Sequence, residues 1–371
     1  MKRSPLIYLA LSIVLILGVT TVKVVGVNPS NEMKTVNKRK ATVNIIHKNI
    51  EQHFFKPQTG LYLETTTLSK NFNKHSWLWP LCALIQAANE MEAIEPKKDY
   101  MSVVVKAIDQ YYSDAAPAPA YQDYVTAERL SSRFFDDNQW IAIAYLDAYA
   151  RNKKPHYLEK AKMIYDHMVL AGLDDAAGGG LYWKEGEKDT KNTCSNGPGI
   201  LVALELYKVT KEAKYLEMAK SLYTWTNKHL QTPEGLYWDA IKIPSMEIDK
   251  RLFTYNTGTM LESNVLFYQL LGDKKYLDEA QRIAKAGRAH FFKDGKIGGN
   301  YWFNAVMLRG YAALYKIDHN KDWINFFATE ADRVWATERD KNNLLGPKPV
   351  KELIDQAGML EINARLIQLN F

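Results

Sequence analysis

The amino-acid sequence predicts an all-α protein whose helices pair into six hairpins and close into an (α/α)6 toroid. The first observation is a repeat, because YLEKA begins at Tyr157, YLEMA at Tyr215 and YLDEA at Tyr276, at spacings of 58 and 61 residues. Each pentapeptide follows an apolar segment of helical periodicity and opens a second helix. Helical hairpins that repeat in this way bury a continuous core only by stacking on their neighbours.

The connections between hairpins provide the second observation. GLYLE starts at Gly60, GLYWKE at Gly180 and GLYWDA at Gly235. Glycine allows a sharp turn after a helix, and the aromatic residues that follow it predict a short strand. Because these connections recur at one end of successive hairpins, we expect them to gather on one face of a closed ring.

The individual helices follow in chain order, and the first and last of them can pair. This pairing favours a closed ring over an open solenoid, which is the alternative. The predicted helical segments are ATVNIIHKNIEQHFF, HSWLWPLCALIQAANEME, MSVVVKAIDQYYS, WIAIAYLDAYA, the stretch from YLEKA, GPGILVALELYKV, the stretch from YLEMA, GTMLESNVLFYQLLG, the stretch from YLDEA, NYWFNAVMLRGYAALYK, WINFFATEADRVWATE and ELIDQAGMLEINARLIQ.

Residues 1–27 have the layout of an export signal. Lys2 and Arg3 precede an apolar run over residues 6–22, which is the order of a positive region and a hydrophobic region in a signal peptide. We expect export to the periplasm, the cell surface or the medium, with cleavage of the signal. A retained signal anchor is the alternative, and we expect no stable membrane partner unless the signal is retained.

The rest of the chain divides into a polar, basic linker over residues 28–41 and a single domain over residues 42–371. Of the 48 basic and 42 acidic residues, seven basic and one acidic lie in residues 1–40, so 41 of each remain in the rest of the chain. A neutral body lacks the basic face that nucleic acid requires. We expect a monomer that binds no nucleic acid.

Cysteine and histidine usage argues against metal chemistry. Cys82 and Cys194 allow one disulfide at most and no cysteine-based metal site. The eight histidines form no close ligand pair, which disfavours a zinc hydrolase and a sugar epimerase that relies on histidine. We expect neither a metal nor a cofactor.

Two adjacent acids, Asp136 and Asp137, begin the helix in SSRFFDDNQWIAIAYLDAYA. One interpretation is that the helix N-terminus simply favours negative charge. The other is chemical, because crowding raises the pKa of one carboxyl while the helix N-terminus favours the other as an anion. Retaining glycosidases need an acid and a nucleophile about 5–5.5 Å apart, which suits neighbouring residues. A terpenoid cyclase, which holds Mg²⁺ with such a pair, needs further acids that DDNQW does not supply.

The ordered set of motifs resembles glycoside hydrolase family 76, the bacterial endo-α-1,6-mannanases, from about residue 42 to the C-terminus. FFDDNQW is joined by GGGLYW from Gly178, SNGPGILVALELY from Ser195 and FTYNTGTMLE from Phe253. The resemblance implies a catalytic domain that acts with retention of configuration. It implies that Asp136 is the nucleophile and Asp137 the acid/base.

Two departures from the family concern residues around the motifs. Thr257 stands where the family commonly has Gln, and Asn138 and Gln139 replace a more acidic or aromatic run. Both departures leave the carboxylates intact and bear on the contacts with the glycan.

Other polar and aromatic residues at the expected cavity face are candidates for binding substrate. The tryptophans can stack on pyranose rings or fill space between hairpins. The asparagines can bond sugar hydroxyls or cap helices, and an arginine on an apolar inner helix needs a carboxylate partner such as one of the two aspartates. The candidates are Trp77, Trp183, Asn196, Trp238, Asp239, Tyr255, Asn256 and Arg309.

Together these features predict a retaining glycoside hydrolase that cleaves internal α-1,6-mannosidic linkages of α-mannan or α-manno-oligosaccharides. One alternative is a hydrolase or transglycosidase that acts on another α-linked glycan. The other is a glycan-binding protein without catalytic activity, for which crowded carboxylates are unnecessary.

Overall fold

The computed structural model describes residues 29–67 and 73–371, and helices dominate this part of the chain. No helix in these ranges is both long and apolar enough to cross a membrane. The helices are α1 (Pro29–His53), α2 (Leu78–Ile94), α3 (Met101–Ile108), α4 (Phe135–Asn152), α5 (Pro155–Gly172), α6 (Thr193–Thr210), α7 (Ala213–Leu230), α8 (Thr254–Leu271), α9 (Lys274–Phe291), α10 (Tyr301–Asp318), α11 (Asp322–Thr337) and α12 (Leu353–Gln368).

The even-numbered helices form a closed inner ring. Each of α2, α4, α6, α8, α10 and α12 packs on the next, and α12 packs back on α2. The odd-numbered helices form an outer ring, in which α3, α5, α7, α9 and α11 each pack on the inner helix that precedes them and α1 packs on α12. The predicted (α/α)6 toroid is therefore confirmed, including its closure by the first and last helices.

The two rings differ in how their helices are buried. The outer helix α9 buries one face, through Tyr276, Ala280, Ile283, Ala284 and Gly287, while the inner helix α6 is buried on nearly all sides. A helix that is apolar on one stripe lies at a surface, and one that is buried all round lies in a core. The amphipathic pattern thus separates outer helices from inner ones.

Glycines let the inner helices approach closely. A methyl group at Gly258 would lie 2.5 Å from the Cα atom of Met307, and one at Gly358 would lie 2.5 Å from the backbone nitrogen of Trp302. Such distances are well inside van der Waals contact. Gly258 and Gly358 therefore bring α8 and α12 against α10 without room for any side chain.

Short strands occupy the connections between hairpins. They are β1 (Phe55–Lys56), β2 (Leu61–Tyr62), β3 (Tyr112–Ser113), β4 (Ala120–Tyr121), β5 (Thr190–Asn192), β6 (Trp238–Lys242), β7 (Ile248–Leu252), β8 (Phe292–Lys293) and β9 (Lys296–Ile297). All pair as antiparallel neighbours, and β5, β6 and β7 form one three-stranded sheet. Since β5 runs directly into α6, and β7 almost directly into α8, this sheet lies at the end of the ring where these two inner helices begin.

The predicted linker over residues 28–41 is wrong for residues 29–41, which belong to α1. Arg39 is buried there, and it donates from Nε to the backbone oxygen of Phe371 at 2.8 Å and from Nη1 to Asn363 at 3.0 Å. A basic stretch therefore ties the first helix to the end of the chain. The predicted export signal over residues 1–27 lies outside the described residues.

Candidate active site

A cleft of about 550 Å³ opens where the inner helices begin. Aromatic side chains and carboxylates make up most of its lining, and Arg251 is the one cation among the described residues that face it. The aromatic residues are Trp77, Trp79, Phe134, Trp140, Trp183, Phe253, Tyr255, Trp302 and Phe303, and the carboxylates are Asp123, Asp136, Asp137 and Asp239.

The first turn of α4 carries the aspartate pair into this cleft. The backbone N–H of Phe135 donates to the backbone oxygen of Trp183 at 3.0 Å, which joins the helix start to a GLYW connection. Asn138 is buried, and its side chain accepts from the backbone nitrogen of Tyr121 at 2.8 Å and donates to the backbone oxygen of the same residue at 2.8 Å. Asn138 thus fixes the helix start and does not face the cleft.

Asp136 is held by the Trp183 indole, whose Nε1 donates to Oδ2 at 3.2 Å. Its Oδ1 atom is buried and meets no hydrogen-bond partner of ordinary geometry among the described residues. Burial raises the pKa of Asp136 to about 6, while the thiol of Cys194 and the Trp183 indole act in the opposite direction. These donors favour the carboxylate form of Asp136.

For Asp137, no hydrogen bond from the described residues lowers the pKa. Burial is the main cause that raises its pKa well above the usual value, and the negative charges of Asp136 and Asp123 raise it further. Asp137 therefore keeps its proton more readily than Asp136 does, because both its burial and its neighbours oppose a second anion. The pair can act as an anion beside an acid.

The two cysteines lie on either side of this pair. Both are buried and free, so the disulfide that the sequence allowed is not formed. The Cys82 thiol donates to the backbone oxygen of Asp137 at 3.2 Å. Within the described residues, no group of three or more His, Cys, Asp or Glu side chains is placed to hold a metal ion.

Four of the predicted binding residues line the cleft with the aspartate pair, namely Trp77, Trp183, Asp239 and Tyr255. Trp183 is 41% exposed, so its ring is open to a ligand. Asp239 is buried, and its Oδ2 accepts from Nη2 of Arg251 at 2.9 Å. An acid fixed in this way can accept bonds from sugar hydroxyls on its remaining lone pairs.

Four predicted residues do not line the cleft, and three of them, Asn196, Trp238 and Asn256, lie close to its walls. The side chain of Asn196 hydrogen-bonds only to backbone groups. Its Oδ1 accepts from the Leu181 nitrogen at 2.8 Å, and its Nδ2 donates to the backbone oxygens of Leu181 at 3.0 Å and Asn192 at 2.8 Å. Trp238 packs instead against the small cluster of Trp225, Leu230 and Ile241. Asn256 is buried and reaches Oδ1 of Asp239 at 3.4 Å, so it supports a cleft residue.

The predicted pairing of Arg309 with one of the two aspartates is wrong. Arg309 bonds Glu262 through Nε at 2.8–2.9 Å and Asp147 through its two Nη atoms. It is the ninth residue of α10, whose first residue is Tyr301, and at 1.5 Å per residue it lies about 12 Å along the helix. That depth places it towards the opposite end of the ring.

Several cleft residues escaped the sequence analysis, although a signal for some of them exists. Phe134 and Phe253, like the predicted Trp77, each occupy the N-cap position of an inner helix and make no capping bond. Ser, Thr, Asp or Asn is expected at such a position. An aromatic residue immediately before an apolar helix therefore indicates a side chain that serves the cleft.

The missed residues also include Asp123, Cys194, Arg251, Trp302 and Phe303. The Phe303 ring lies 4.1 Å, centroid to centroid, from Tyr255, which shows that the aromatic wall continues from α8 to α10. Nothing in the local sequence distinguishes Asp123 or Cys194 from ordinary loop and core residues.

The chain matches the model of glycosyl hydrolase family 76 over residues 38–304. Mannan endo-1,6-alpha-mannosidase DCW1 of Saccharomyces cerevisiae is 26% identical over 207 residues, which cover 50% of this chain and 46% of that protein. DCW1 of Candida glabrata is 26% identical over 184 residues, which cover 46% and 41%. The chain thus spans less than half the length of these curated relatives.

Solved structures of similar fold include the GH76 alpha-mannanase of Bacteroides thetaiotaomicron, with a TM-score of 0.83, 23% identity and coverage of 92% of this chain and 98% of that one. Another is an inactive variant of the alpha-1,6-mannanase of Salegentibacter sp. HEL1_6, in which two adjacent aspartates are replaced by asparagine, in complex with alpha-1,6-mannotriose. Its TM-score is 0.77 at 22% identity, over 89% of this chain and 99% of that one.

Proposed function

The chain belongs to glycosyl hydrolase family 76, and from that premise we propose that it cleaves internal α-1,6-mannosidic linkages of α-mannan with Asp136 and Asp137. The observation that carries the proposal is the pair itself, two neighbouring carboxyls on the first turn of α4 inside an aromatic cleft. The curated relatives named as mannan endo-1,6-alpha-mannosidases and the inactive mannanase that lacks two adjacent aspartates support the same conclusion.

In the first step the Asp136 carboxylate attacks the anomeric carbon of the mannosyl unit. Asp137 donates its proton to the glycosidic oxygen as the bond from that oxygen to the anomeric carbon breaks. The products are a mannosyl ester of Asp136 and a shortened glycan with a free hydroxyl. The assignment follows the pKa values, because burial and the neighbouring charges favour the proton on Asp137.

In the second step Asp137, now a carboxylate, takes a proton from water. The water oxygen attacks the anomeric carbon, the ester bond breaks, and Asp136 leaves as a carboxylate. Two displacements at one carbon retain its configuration. The pair returns to its starting protonation state without a cofactor or metal in the proposed cycle.

The walls of the cleft suit a chain of pyranose rings. Trp77, Trp183 and Tyr255 present aromatic faces that can stack on the apolar faces of sugars. Asp239 and Arg251, which bond each other at 2.9 Å in the cleft lining, supply an acceptor and donors for sugar hydroxyls. The aromatic residues then provide affinity and the polar pair orients the linkage.

Two alternatives remain as outcomes of the test. The cleft can act on another α-linked mannose or glucose polymer, or transfer the glycosyl group to a sugar instead of water. A glycan-binding protein is the second, but binding alone does not need two crowded carboxyls whose ionisation is costly. Export and a monomeric state also stay predictions.

The test is product analysis of the purified protein with linear α-1,6-mannan, branched α-mannan and an α-glucan. We expect a ladder of short α-mannosides from linear mannan, and NMR of the first-formed products should show the α-anomer. Mannose alone would indicate attack at chain ends, and first-formed β-anomer would indicate inversion. Retention of mannan by the protein without any product would favour the binding alternative.

A further inference from the structure

The only two cysteines of the chain reach the aspartate pair from two different helices. Cys82 lies on α2 and Cys194 is the second residue of α6, and α2 and α6 are the two neighbours of α4 in the inner ring. Cys194 is 4% exposed and lines the cleft, while Cys82 is fully buried. The reacting turn of α4 is therefore flanked by a thiol on each side.

The two thiols meet different parts of the pair. Cys82 donates to a backbone oxygen, that of Asp137. Cys194 lines the cleft together with Asp136 and Tyr255, and its thiol acts to lower the pKa of the Asp136 carboxyl. Cys82 thus supports the helix turn, and Cys194 meets a reacting group.

Asp136 has few other side-chain donors. Trp183 bonds Oδ2, and Oδ1 is buried without a partner of ordinary geometry among the described residues. A buried carboxylate oxygen without a donor is costly. A thiol is a weak donor, so it can orient the carboxylate without stabilising the anion as strongly as a hydroxyl does.

We propose that Cys194 is a positioning residue for Asp136, whose thiol donates to the carboxylate and, with Trp183, holds it towards the anomeric carbon. This inference rests on the proposed function. Burial raises the pKa of the Cys194 thiol well above its usual value, and the charge of Asp136 raises it further, so the group stays S–H and remains a donor.

Other groups that face Asp136 must stay in place for a test to be clear. They belong to five different elements, and a substitution at Cys194 alone keeps all of them. These groups are Asp137 on α4, Cys82 on α2, Asp239 on β6, Tyr255 on α8 and the indole of Trp183.

The experiment compares Cys194→Ala and Cys194→Ser with the wild type, measuring kcat and KM on linear α-1,6-mannan across pH. Loss of the donor in Cys194→Ala should lower kcat roughly fivefold with little change in KM. It should also raise the pKa of Asp136, so the acid limb of the profile moves to higher pH. Cys194→Ser supplies a hydroxyl donor and should restore kcat and return the limb to, or below, its wild-type position.

Cys82→Ala is the matched control, because it removes the other buried thiol without removing a donor to the Asp136 carboxylate. We expect it to lower stability but to leave the acid limb in place. Equal displacement of the limb in Cys82→Ala and Cys194→Ala would overturn the inference, since the effect would then be a general loosening of α4. A wild-type kcat and limb in Cys194→Ala would overturn it as well.

A readout without substrate separates this inference from the proposed function. Carbon-13 NMR titration of the Asp136 carboxyl should give a higher pKa in Cys194→Ala than in the wild type, and recovery in Cys194→Ser. If the wild type forms no mannan products, the proposed function fails while this titration still decides whether Cys194 bonds Asp136. An unchanged Asp136 pKa in both variants would contradict the positioning role.

Discussion

Two half-buried acids on the same helix differ in their environment. Asp137 lies at the cleft end of α4 and Asp147 lies ten residues further on, about 15 Å away along the helix. Burial acts to raise the pKa of each. For Asp147 the positive charges of Arg309, Arg365 and Lys208 together outweigh burial and hold the pKa below its usual value. For Asp137 the neighbouring Asp136 raises the pKa further.

The contrast extends to the two ends of the ring. Far from the cleft, all six inner helices line a charged pocket in which acids meet arginines. Arg309 bonds Glu262 and Asp147 there, and Arg365 bonds Glu90 at 2.8 Å and Glu361 at 3.1 Å. In the described part of the cleft, the aspartate pair bonds no cation.

The same ring of inner helices therefore stabilises the fold at one end and holds reactive carboxyls at the other. At the charged end, the ion pair with Arg309 keeps Asp147 ionised, and removal of either partner is costly. At the other end, carboxyls without cations keep raised pKa values, which reduces stability but supplies an acid and an anion. Perturbed pKa values of this kind are typical of functional sites.

The largest expected effect distinguishes the two ends by turnover. Asp136→Asn and Asp137→Asn should each lower kcat/KM on linear α-1,6-mannan by about a thousandfold or more, because one removes the nucleophile and the other the acid. Asp147→Asn makes the same chemical change on the same helix and should keep turnover close to wild type at a temperature where it is folded. Comparable kcat/KM in all three variants would contradict a catalytic role that is confined to the cleft end of α4.

The next largest effect concerns the free energy of unfolding, which an Asp-to-Asn substitution should change differently at the two ends of the ring. At pH 7, Asp147→Asn should lower the free energy of unfolding by about 3 kcal/mol, because it leaves Arg309 with Glu262 as its one acid. Asp137→Asn should leave stability unchanged or raise it by about 1 kcal/mol, because it removes a carboxyl that is costly to ionise. Denaturant unfolding of the two variants measures both values.

The pH dependence of these differences follows from the direction of each pKa shift. The lowered pKa of Asp147 contributes stability above the unfolded value of about 3.9, and that contribution disappears as the pH falls through the folded value. The raised pKa of Asp137 removes stability as the pH rises from about 4 to the folded value. Both differences should therefore shrink at low pH, and a difference that grew on acidification would contradict the assignment.

The smallest effect concerns the Trp183 indole. Trp183→Phe keeps an aromatic face but removes the donor to Asp136 at 3.2 Å. A bond to a partly exposed charged group contributes about 1 kcal/mol, so kcat should fall roughly fivefold to tenfold with KM little changed. A rise in KM alone would indicate that the indole only stacks on sugar.

Sequence reasoning succeeded where a residue lies close to a recognisable helix start. The YLEKA-type repeats placed the hairpins, and Asp136 and Asp137 follow directly from the start of α4. Arg309 was misplaced because its depth along α10 depends on where that helix begins, which periodicity alone does not determine. The basic composition of residues 28–41 predicted a linker, and so did not indicate that the buried guanidinium of Arg39 donates to the backbone oxygen of Phe371.

Other misses follow from the geometry of single elements. Trp238 and Asp239 are neighbours on β6, and successive side chains of a strand point to opposite faces. Only Asp239 lines the cleft, so a candidate list that named both could be right for just one. Cys194 and Asp123 come together with the pair through packing of separate elements, which no local pattern encodes.

The pH dependence of kcat/KM on linear α-1,6-mannan tests the division of roles within the pair most directly. We predict a bell-shaped profile. Activity should fall below about 6 as Asp136 gains a proton, and fall again at higher pH as Asp137 loses one. A flat profile, or activity that keeps rising as the solution becomes more acidic, would contradict an anionic Asp136 beside a protonated Asp137.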